Sequence, residues 1–306
     1  MDSKYFLPPS HPPPVLDGDQ VLHLAQAGYL SLEPPPNLLA CLQDLLQLDR
    51  QFFKQSTPSK ETQFPTAEGT ELGYYHVENE KEYLTFRHQY SGDSTGALSL
   101  AASSFWKVAA SFLYRILCDV STALDIPLPV WDPLVDGCLT MPGSISETTP
   151  TLLRLFDYLP GAGAAEKHTD TGFLTLCIGT APGLQVWSTS DPAAAMPCDA
   201  WVDVGTQPTV LVGKTLQWLS AGRLKAGLHR VVPNTEGRQS VVFALRPSLR
   251  HPVLDLAPFG EPSVVNLVDI WKGIRGSVYN VNAQAKIRAE QKRKLQAKQG
   301  AEQGFG

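Results

Sequence analysis

The feature that most constrains the fold is a long β-rich region that begins near residue 150. From Thr151 to Leu245, short apolar runs alternate with Gly, Pro, Asp and Asn, which is the pattern of strands joined by turns. The predicted strands are Thr151–Phe156, Phe173–Ile178, Leu184–Trp187, Ala200–Asp203, Thr209–Val212, Leu216–Leu219, Leu228–Val232 and Ser240–Leu245. Short strands at regular spacing predict a mainly β fold, closed as a barrel or a jelly roll.

Helices are predicted ahead of this region. Apolar residues recur at helical spacing from Asn37 to Phe53 and from about Ser99 to Leu124, and a shorter helix followed by a strand is predicted from Val21 to Leu32. Each helix has to bury its apolar stripe, so we expect the helices to flank the β core on one outer face.

The chain of 306 residues is interpreted as one domain, because barrels of this size commonly form a single unit. Residues 1–150 are the helical and irregular part, residues 151–250 the β core, and residues 251–306 a C-terminal segment. A basic helix predicted from Asn282 to Gln299 is interpreted as a solvated terminal helix.

Composition narrows the function classes. The net charge of -5 gives no electrostatic footprint for nucleic acid or an anionic membrane, and leaves a neutral or small anionic substrate open. The five cysteines include no CxxC pair and are interpreted as free thiols in a reducing compartment. The start of the chain has no secretory pattern, and no apolar run reaches the roughly 20 residues of a membrane span. We therefore expect a soluble, cytoplasmic protein; no oligomeric state is predicted.

The stretch most informative about chemistry is His168-Thr169-Asp170, between two β-type runs. Side chains at positions i and i+2 of an extended strand share a face, so His168 and Asp170 can bind one ion. A second imidazole would complete a facial triad that leaves positions open for oxygen chemistry at Fe(II). His229, on a late predicted strand, is the best third ligand, whereas His76 and His88 lie in an irregular region and could contact a substrate.

Arg238 and Ser240 follow His229 after the turn Pro233–Gly237. A hairpin about this turn would place Arg238 near Val232, roughly 10 Å from His229 at strand rise. A guanidinium there can donate two parallel hydrogen bonds to a carboxylate, and the Ser240 hydroxyl on the same face can add another. The arrangement suits a dicarboxylate whose other end chelates the metal.

Taken together, these residues resemble the isopenicillin N synthase-like group of Fe(II)/2-oxoglutarate dioxygenases, whose pattern is HxD, a distal His, and RxS. The resemblance extends over most of the chain and includes Ala27–Leu32, Pro182–Val186 and Val212–Arg223. It implies a double-stranded β-helix, or jelly-roll, core packed against N-terminal helices. It also implies Fe(II) as cofactor, with 2-oxoglutarate and O2 as co-substrates.

By the same resemblance, Tyr158 would lie beside 2-oxoglutarate, and Phe156 occupies the usual place of an asparagine. The expected reaction is hydroxylation, desaturation or ring formation on a small organic molecule, with specialised metabolism as the expected setting. Candidate substrate contacts are Tyr74, Arg87, His88, Trp218 and Phe243. Core packing is the alternative for the last two residues, and solvent exposure is the alternative for Arg87 and His88. If Arg87 faces the pocket, a carboxylate or phenolate on the substrate is expected.

Three alternatives stay open at this point. The first is an Fe(II) oxidase of the same fold that does not use 2-oxoglutarate. A second is a zinc hydrolase with the same ligands, for which Glu166 is the general base nearest in sequence. The third is a non-catalytic jelly-roll binding protein, in which His168 and Asp170 are structural.

Overall fold

The computed structural model describes residues 14–67, 70–92, 95–188 and 199–303. Among these, the α-helices are α1 (Gly18–Ala27), α2 (Pro36–Phe53), α3 (Thr57–Gln63), α4 (Gly96–Ala123), α5 (Trp131–Val135), α6 (Lys214–Leu219), α7 (Leu267–Gly276) and α8 (Ala285–Gln303). The strands are β1 (Tyr29–Ser31), β2 (Gly73–Val77), β3 (Lys81–Phe86), β4 (Leu152–Tyr158), β5 (Ala165–His168), β6 (Leu174–Gly179), β7 (Leu184–Ser188), β8 (Ala200–Asp203), β9 (Thr209–Val212), β10 (His229–Val231), β11 (Arg238–Leu245), β12 (Val253–Asp255) and β13 (Val264–Asn266).

Two antiparallel sheets form the core. The large sheet has the strand order β1-β9-β6-β11-β4-β3-β2, and the small sheet has the order β5-β10-β7-β8. Residues of β4, β6 and β11 line the same cavity as residues of β5, β7 and β10, so the sheets face each other. A buried apolar cluster that includes Phe156, Leu184, Val186 and Val231 fills part of the space between them. The jelly-roll core with flanking helices is thus confirmed.

The N-terminal helices cover the outer face of the large sheet. Helix α4 contacts β6 and β11, and α2 and α1 pack in turn on α4. Strand β11 divides its side chains between the two faces, as a period of two requires. Phe243 points outward and its ring lies 5.1 Å from that of Trp106 on α4, whereas Arg238 and Ser240 point into the space between the sheets.

Helix α4 is long and apolar enough to cross a membrane by length and composition alone, with a mean hydropathy of 1.2 in its most apolar window. Half of that window is buried, and the helix packs between α2 and the large sheet. Core packing therefore accounts for its apolar sequence. Cys41, Cys118, Cys138 and Cys177 are free thiols, and Cys198 lies outside the described residues.

Two sequence-based predictions are wrong, and one strand was missed. The run Leu216–Leu219 is part of helix α6 rather than a strand, because a short apolar run fits either structure and only its surroundings decide. Strand β5 is absent from the predicted strands, since three of its four residues are half-buried or exposed. The predicted hairpin does not form: β10 pairs with β5 and β7, whereas β11 pairs with β4 and β6, so the turn between them crosses from one sheet to the other.

Ion pairs tie one side of the C-terminal helix α8 to the core, whereas most of its described side chains are exposed, which agrees with its interpretation as a solvated helix. Arg288 of α8 is 8% exposed and donates to Glu80 over 2.9 Å. Lys292 pairs with Glu166, and the Tyr279 hydroxyl donates to the same carboxylate over 2.9 Å. Burial alone would raise the pKa of Glu166, but these donors hold it below its usual value.

Candidate active site

Two adjacent strands bring His168, Asp170 and His229 together. His168 ends β5 and is the register partner of His229 on β10. Their ring centroids lie 4.2 Å apart, and the distance from His168 Nε2 to Asp170 Oδ1 is 3.9 Å. One ligand atom from each residue falls within 4.8 Å of the others. The structure thus places the three residues where a single ion could contact all of them.

Asp170 lies two residues beyond the end of β5, so its position depends on a neighbouring element. The first turn of α6 holds this loop: the Lys214 amide donates to the Asp170 carbonyl over 2.8 Å, and Thr215 Oγ1 donates to the Thr171 carbonyl over 2.6 Å. Helix α6, part of which was predicted as a strand, therefore holds the backbone of the loop that carries Asp170.

Hydrogen bonds fix the orientation of both imidazoles. His168 Nδ1 lies 2.7 Å from the Glu166 carbonyl, and His229 Nδ1 lies 3.0 Å from the Gly227 carbonyl. A ring nitrogen that donates to a carbonyl leaves the other nitrogen with a lone pair for a metal. Burial and the neighbouring His229 lower the pKa of His168. Burial alone would raise the pKa of Asp170, but the two imidazoles lower it. A neutral imidazole and a charged carboxylate are the forms that bind a divalent cation.

The triad opens into a cavity of about 60 Å³ between the sheets, which we call the inner cavity. The residues that carry its polar groups include Tyr158, His168, Asp170, His229, Arg238 and Ser240. Arg238 and Ser240 lie on β11 of the large sheet, and His168 and His229 lie on the small sheet. The predicted metal ligands and the predicted co-substrate residues therefore line one space, although the hairpin expected to align them does not exist.

Arg238 is buried, and no carboxylate contacts it among the residues that the structure describes. It is 4% exposed, and its Nε donates to the Ala181 carbonyl over 3.0 Å. Its Nη1 is buried and has no hydrogen-bond partner within that part of the chain. A buried guanidinium with an unsatisfied donor costs free energy unless an anion binds to it. Gly179 leaves room for this side chain, because a Cβ there would lie 2.3 Å from Nη2.

The walls beside Arg238 are mainly aromatic and apolar. Tyr158 stacks on Phe156 with ring centroids 5.3 Å apart, and the Arg238 guanidinium lies 5.7 Å from the Tyr158 ring centroid. Burial raises the pKa of Tyr158 to about 12, so its phenol keeps its proton and can donate it. Phe156 also lines the inner cavity, so an aromatic surface stands where the resemblance would place an amide.

A second cavity of about 290 Å³ adjoins the first, and we call it the outer cavity. Five residues line both cavities: Arg154, His168, Asp170, Arg246 and Asn282. Its charged wall consists of Glu71, Arg154, Arg246 and Arg275, and its roof is the segment from Val278 to Asn282. The sequence reasoning missed all of these residues. Strand parity could have found two of them, because Arg154 shares a face with Tyr158, and Arg246 shares the parity of Arg238 and Ser240.

The structure leaves the five predicted substrate contacts outside both cavities. Tyr74 is 2% exposed and packs on Phe52 of α2, and Phe243 packs on α4 as described above. Trp218 lies on a separate surface groove beside α6. Arg87 donates to the Thr149 carbonyl over 3.1 Å, and His88 stacks on Tyr90. The wall of the outer cavity replaces them as the candidate substrate surface.

Glu166, the carboxylate nearest to the triad in sequence, is also outside both cavities. Its side chain is occupied by Tyr279, Arg288 and Lys292 of the C-terminal segment. The zinc hydrolase hypothesis therefore loses the general base that the sequence offered it.

Part of the chain is similar to known oxygenases. Residues 152–247 match the family model of the 2OG-Fe(II) oxygenase superfamily. A 2-oxoglutarate-dependent dioxygenase of Gibberella zeae is 39% identical over 108 residues, which is 31% of this chain and 30% of the relative. The 2-oxoglutarate-dependent dioxygenase iboH of Amanita muscaria is 38% identical over 111 residues, 33% of this chain and 52% of the relative. The chain thus aligns with only about a third to a half of the length of these relatives.

Solved structures extend the likeness of the fold beyond the matched segment. A full-length Neurospora crassa protein, solved in complex with alpha-KG and 5-formyluracil, has a TM-score of 0.62 at 19% identity, over 83% of this chain and 88% of its own. The rice dioxygenase for auxin oxidation has a TM-score of 0.60 at 19% identity, over 88% of this chain and 94% of its own. At such identities the likeness concerns the fold alone.

Proposed function

We propose that this chain, whose residues 152–247 match the family model of the 2OG-Fe(II) oxygenase superfamily, is an Fe(II)- and 2-oxoglutarate-dependent dioxygenase that oxidises a small organic molecule. The reaction outcome we propose is hydroxylation, desaturation or ring formation, in specialised metabolism. The membership of the isopenicillin N synthase-like group stays a prediction.

The observation that carries the proposal is the buried Arg238, which lines the same cavity as the triad and whose Nη1 has no partner among the described residues. Two imidazoles and one carboxylate suit Fe(II), and the opposite wall offers a guanidinium fork for a carboxylate. A five-carbon keto-diacid has a chelating end for the first and a carboxylate for the second. The donor set therefore fits both the metal and the co-substrate.

Six polar residues of the inner cavity have a role in this scheme. His168, Asp170 and His229 would hold Fe(II), with both imidazoles oriented by backbone carbonyls. Arg238 would bind the far carboxylate of 2-oxoglutarate, and Tyr158 and Ser240 would donate hydroxyl protons to it. The chemistry supplied by bound Fe(II), 2-oxoglutarate and O2 is oxidation of a substrate C–H bond, coupled to conversion of 2-oxoglutarate into succinate and CO2. The apolar residues of the cavity walls would exclude water from the space around the bound co-substrate.

The main alternative is an oxidase of the same fold that does not use 2-oxoglutarate. In such a protein no carboxylate would bind in the inner cavity. The buried Nη1 of Arg238 would then have no acceptor to offset the cost of its burial. If the protein were a non-catalytic binding protein, nothing would explain why backbone carbonyls orient the Nε2 atoms of both imidazoles for a metal. Arg238 is therefore the residue at which these hypotheses differ most.

The test uses the visible charge-transfer absorption of a keto acid chelated to Fe(II), measured under anaerobic conditions. We expect the band in the parent protein, and we expect Arg238→Met to raise the Kd of 2-oxoglutarate by roughly 10- to 100-fold, the worth of hydrogen bonds to a charged group. Arg293→Met removes an exposed arginine of α8 and should leave the titration unchanged.

A second variant guards against misfolding of Arg238→Met. Gly179→Ala keeps the guanidinium but displaces it, because the new methyl group would meet Nη2; it should raise the Kd of 2-oxoglutarate while Fe(II) binding persists. Gly273→Ala, where a Cβ meets nothing within 4 Å, is its control. A parent protein that binds Fe(II) but gives no band with 2-oxoglutarate would refute the co-substrate and favour the alternative oxidase.

A further inference from the structure

We propose that the outer cavity recognises a substrate carboxylate, with Arg246 and Arg275 as its binding residues and Arg154 beside them. This inference rests on the proposed function, because it assigns the outer cavity to the molecule that the triad oxidises. It assigns a chemical class to that molecule, a small organic monocarboxylic acid.

The charges of the wall do not balance. Arg246 donates to Glu71 over 2.7 Å, Arg275 lies 3.4 Å from the same carboxylate, and Arg154 lies 3.6 Å from it. Three guanidinium charges thus share one carboxylate. Among the described residues, Asp170 is the other carboxylate that lines the cavity, and in the proposed function its charge is committed to the metal. An additional anion would complete the pairing that Glu71 only begins.

Arg154, Arg246 and Glu71 lie largely out of contact with water, whereas Arg275 is about half exposed. The side chains of Arg154 and Arg246 are 9% and 12% exposed, and that of Glu71 is 21% exposed. Partly buried charges attract a counter-ion more strongly than exposed ones, because the surrounding dielectric screens them less. An anion that enters the outer cavity therefore gains more from this wall than from arginines on an open surface.

Arg246 also has a donor without an acceptor. Its Nη1 donates to Glu71 and its guanidinium lies 5.9 Å from the ring centroid of Trp271. Its Nε is buried and has no hydrogen-bond partner within the described part of the chain. Burial of such a donor is unfavourable unless an acceptor binds to it. Arg246, which lines both cavities, thus has an unsatisfied buried donor as Arg238 does, whereas Arg238 lines only the inner cavity. Because Arg246 also shares Glu71 with Arg275, which lines only the outer cavity, we assign a second carboxylate to the outer cavity.

The surroundings add positive charge rather than compensating it. Arg87 lies behind the wall, and burial together with the three guanidiniums lowers its pKa even though Glu71 acts in the opposite direction. Burial alone would raise the pKa of Glu71, but the same guanidiniums hold it well below its usual range. Glu71 therefore stays ionised and positions the three guanidiniums. Their remaining positive charge can attract a further anion.

Geometry gives the bound acid a direction. Arg246 directly follows β11 and continues the alternation that places Arg238 and Ser240 on one face. Arg275 lies on helix α7. His168 and Asp170 line the same space. A carboxylate held between Arg246 and Arg275 would leave the rest of the molecule beside the triad, where a C–H bond could be oxidised.

The test compares acids with neutral molecules of the same shape. The full chain, without added Fe(II) or 2-oxoglutarate, is titrated calorimetrically with benzoate, phenylacetate and octanoate, and with benzamide, phenylacetamide and octanamide. We expect at least one acid to bind roughly tenfold or more tightly than its amide, because hydrogen bonds to a charged group strengthen binding by about that factor. Succinate release with Fe(II), 2-oxoglutarate and O2 is then measured for the same six compounds.

Three variants locate the binding site. Arg275→Met should remove the preference for the acid; its side chain is 48% exposed, so the substitution should not disturb the core. Arg246→Lys keeps a charge at the buried position and should reduce the preference, since an ammonium cannot form the planar fork. Arg293→Met should preserve it.

The outcomes separate this inference from the proposed function. Equal affinity for acids and amides, no binding of any acid, or a preference that survives Arg275→Met and disappears only in Arg238→Met would overturn the outer-cavity assignment. Acid binding that depends on Arg275 but never stimulates succinate release would support the cavity assignment and count against the dioxygenase. Succinate release stimulated as strongly by an amide as by its acid would support the dioxygenase and overturn the substrate class.

Discussion

The inner and outer cavities share five lining residues, among them two side chains of the triad and two arginines, but most of their remaining polar groups come from different kinds of structure. The inner cavity takes most of its polar groups from paired strands, where strand parity and register define their positions, although Asp170 lies just beyond the end of β5. The outer cavity takes its charged wall from four separate places: Glu71 ahead of β2, Arg154 on β4, Arg246 after β11 and Arg275 on α7. The proposed metal and co-substrate site is therefore built mainly on the regular strands of the core, whereas the candidate substrate site is assembled from segments that are distant in the sequence.

The largest expected effect comes from breaking the inner cavity. His229→Ala should lower Fe(II) affinity by more than the roughly 10- to 100-fold that loss of an outer partner of a ligand costs, and should abolish succinate formation. Anaerobic Fe(II) titration measures the first and a succinate assay the second. His88→Ala is the matched control, because His88 lines neither cavity. Unchanged Fe(II) affinity in His229→Ala would remove this residue from the triad.

A second prediction concerns the charge behind the inner cavity. Lys81 is fully buried, its Nζ donates to the Ala164 carbonyl over 2.9 Å, and it lies 5.5 Å from the Tyr158 ring centroid. Burial lowers the pKa of Lys81 from 10.5 to about 7. Between these two values the unfolded chain binds the proton and the folded protein does not, so this lysine makes stability rise with pH in that window.

Lys81→Met removes this dependence. The substitution should therefore increase the free energy of unfolding more at pH 6 than at pH 9, by on the order of 2 kcal/mol. Urea unfolding at the two pH values measures the difference, and Lys272→Met, at an exposed position of α7, is the control. The same effect of Lys81→Met at both pH values would contradict the lowered pKa.

The smallest expected effect lies at the outer cavity. Glu166→Gln weakens the contacts of Tyr279, Arg288 and Lys292 that hold the roof, and exposed or half-exposed ion pairs contribute about 0.2 to 1 kcal/mol each. Amide hydrogen exchange in residues 278–297 should therefore accelerate several-fold, while 2-oxoglutarate binding changes little. Glu290→Gln, which breaks the exposed pair with Lys294 within α8, is the control. Unchanged exchange in Glu166→Gln, with or without faster exchange in the control, would mean that Glu166 does not hold the roof in place.

The two cavities also differ in how far the sequence predicted them. HxD, the later His229 and RxS placed the polar groups of the inner cavity, because a period of two along a strand assigns a side chain to a face. The same parity argument, applied to β11 as a whole, would have assigned Phe243 to the helix side and Arg246 to the interior. The prediction that Trp218 contacts the substrate has a different difficulty. The run Leu216–Leu219 folds as part of α6, and this helix places Trp218 on the outer surface.

The sequence alone predicted a mainly β core with flanking helices from local periodicity, and short motifs with their family resemblance indicated a jelly roll and the candidate residues for metal and co-substrate. Only the tertiary structure decided that β10 and β11 lie in opposite sheets, that α6 fixes the loop of Asp170, and that Glu71 gathers three arginines beside the triad. These relations join residues far apart in the chain, and packing in three dimensions rather than local spacing sets which of them meet.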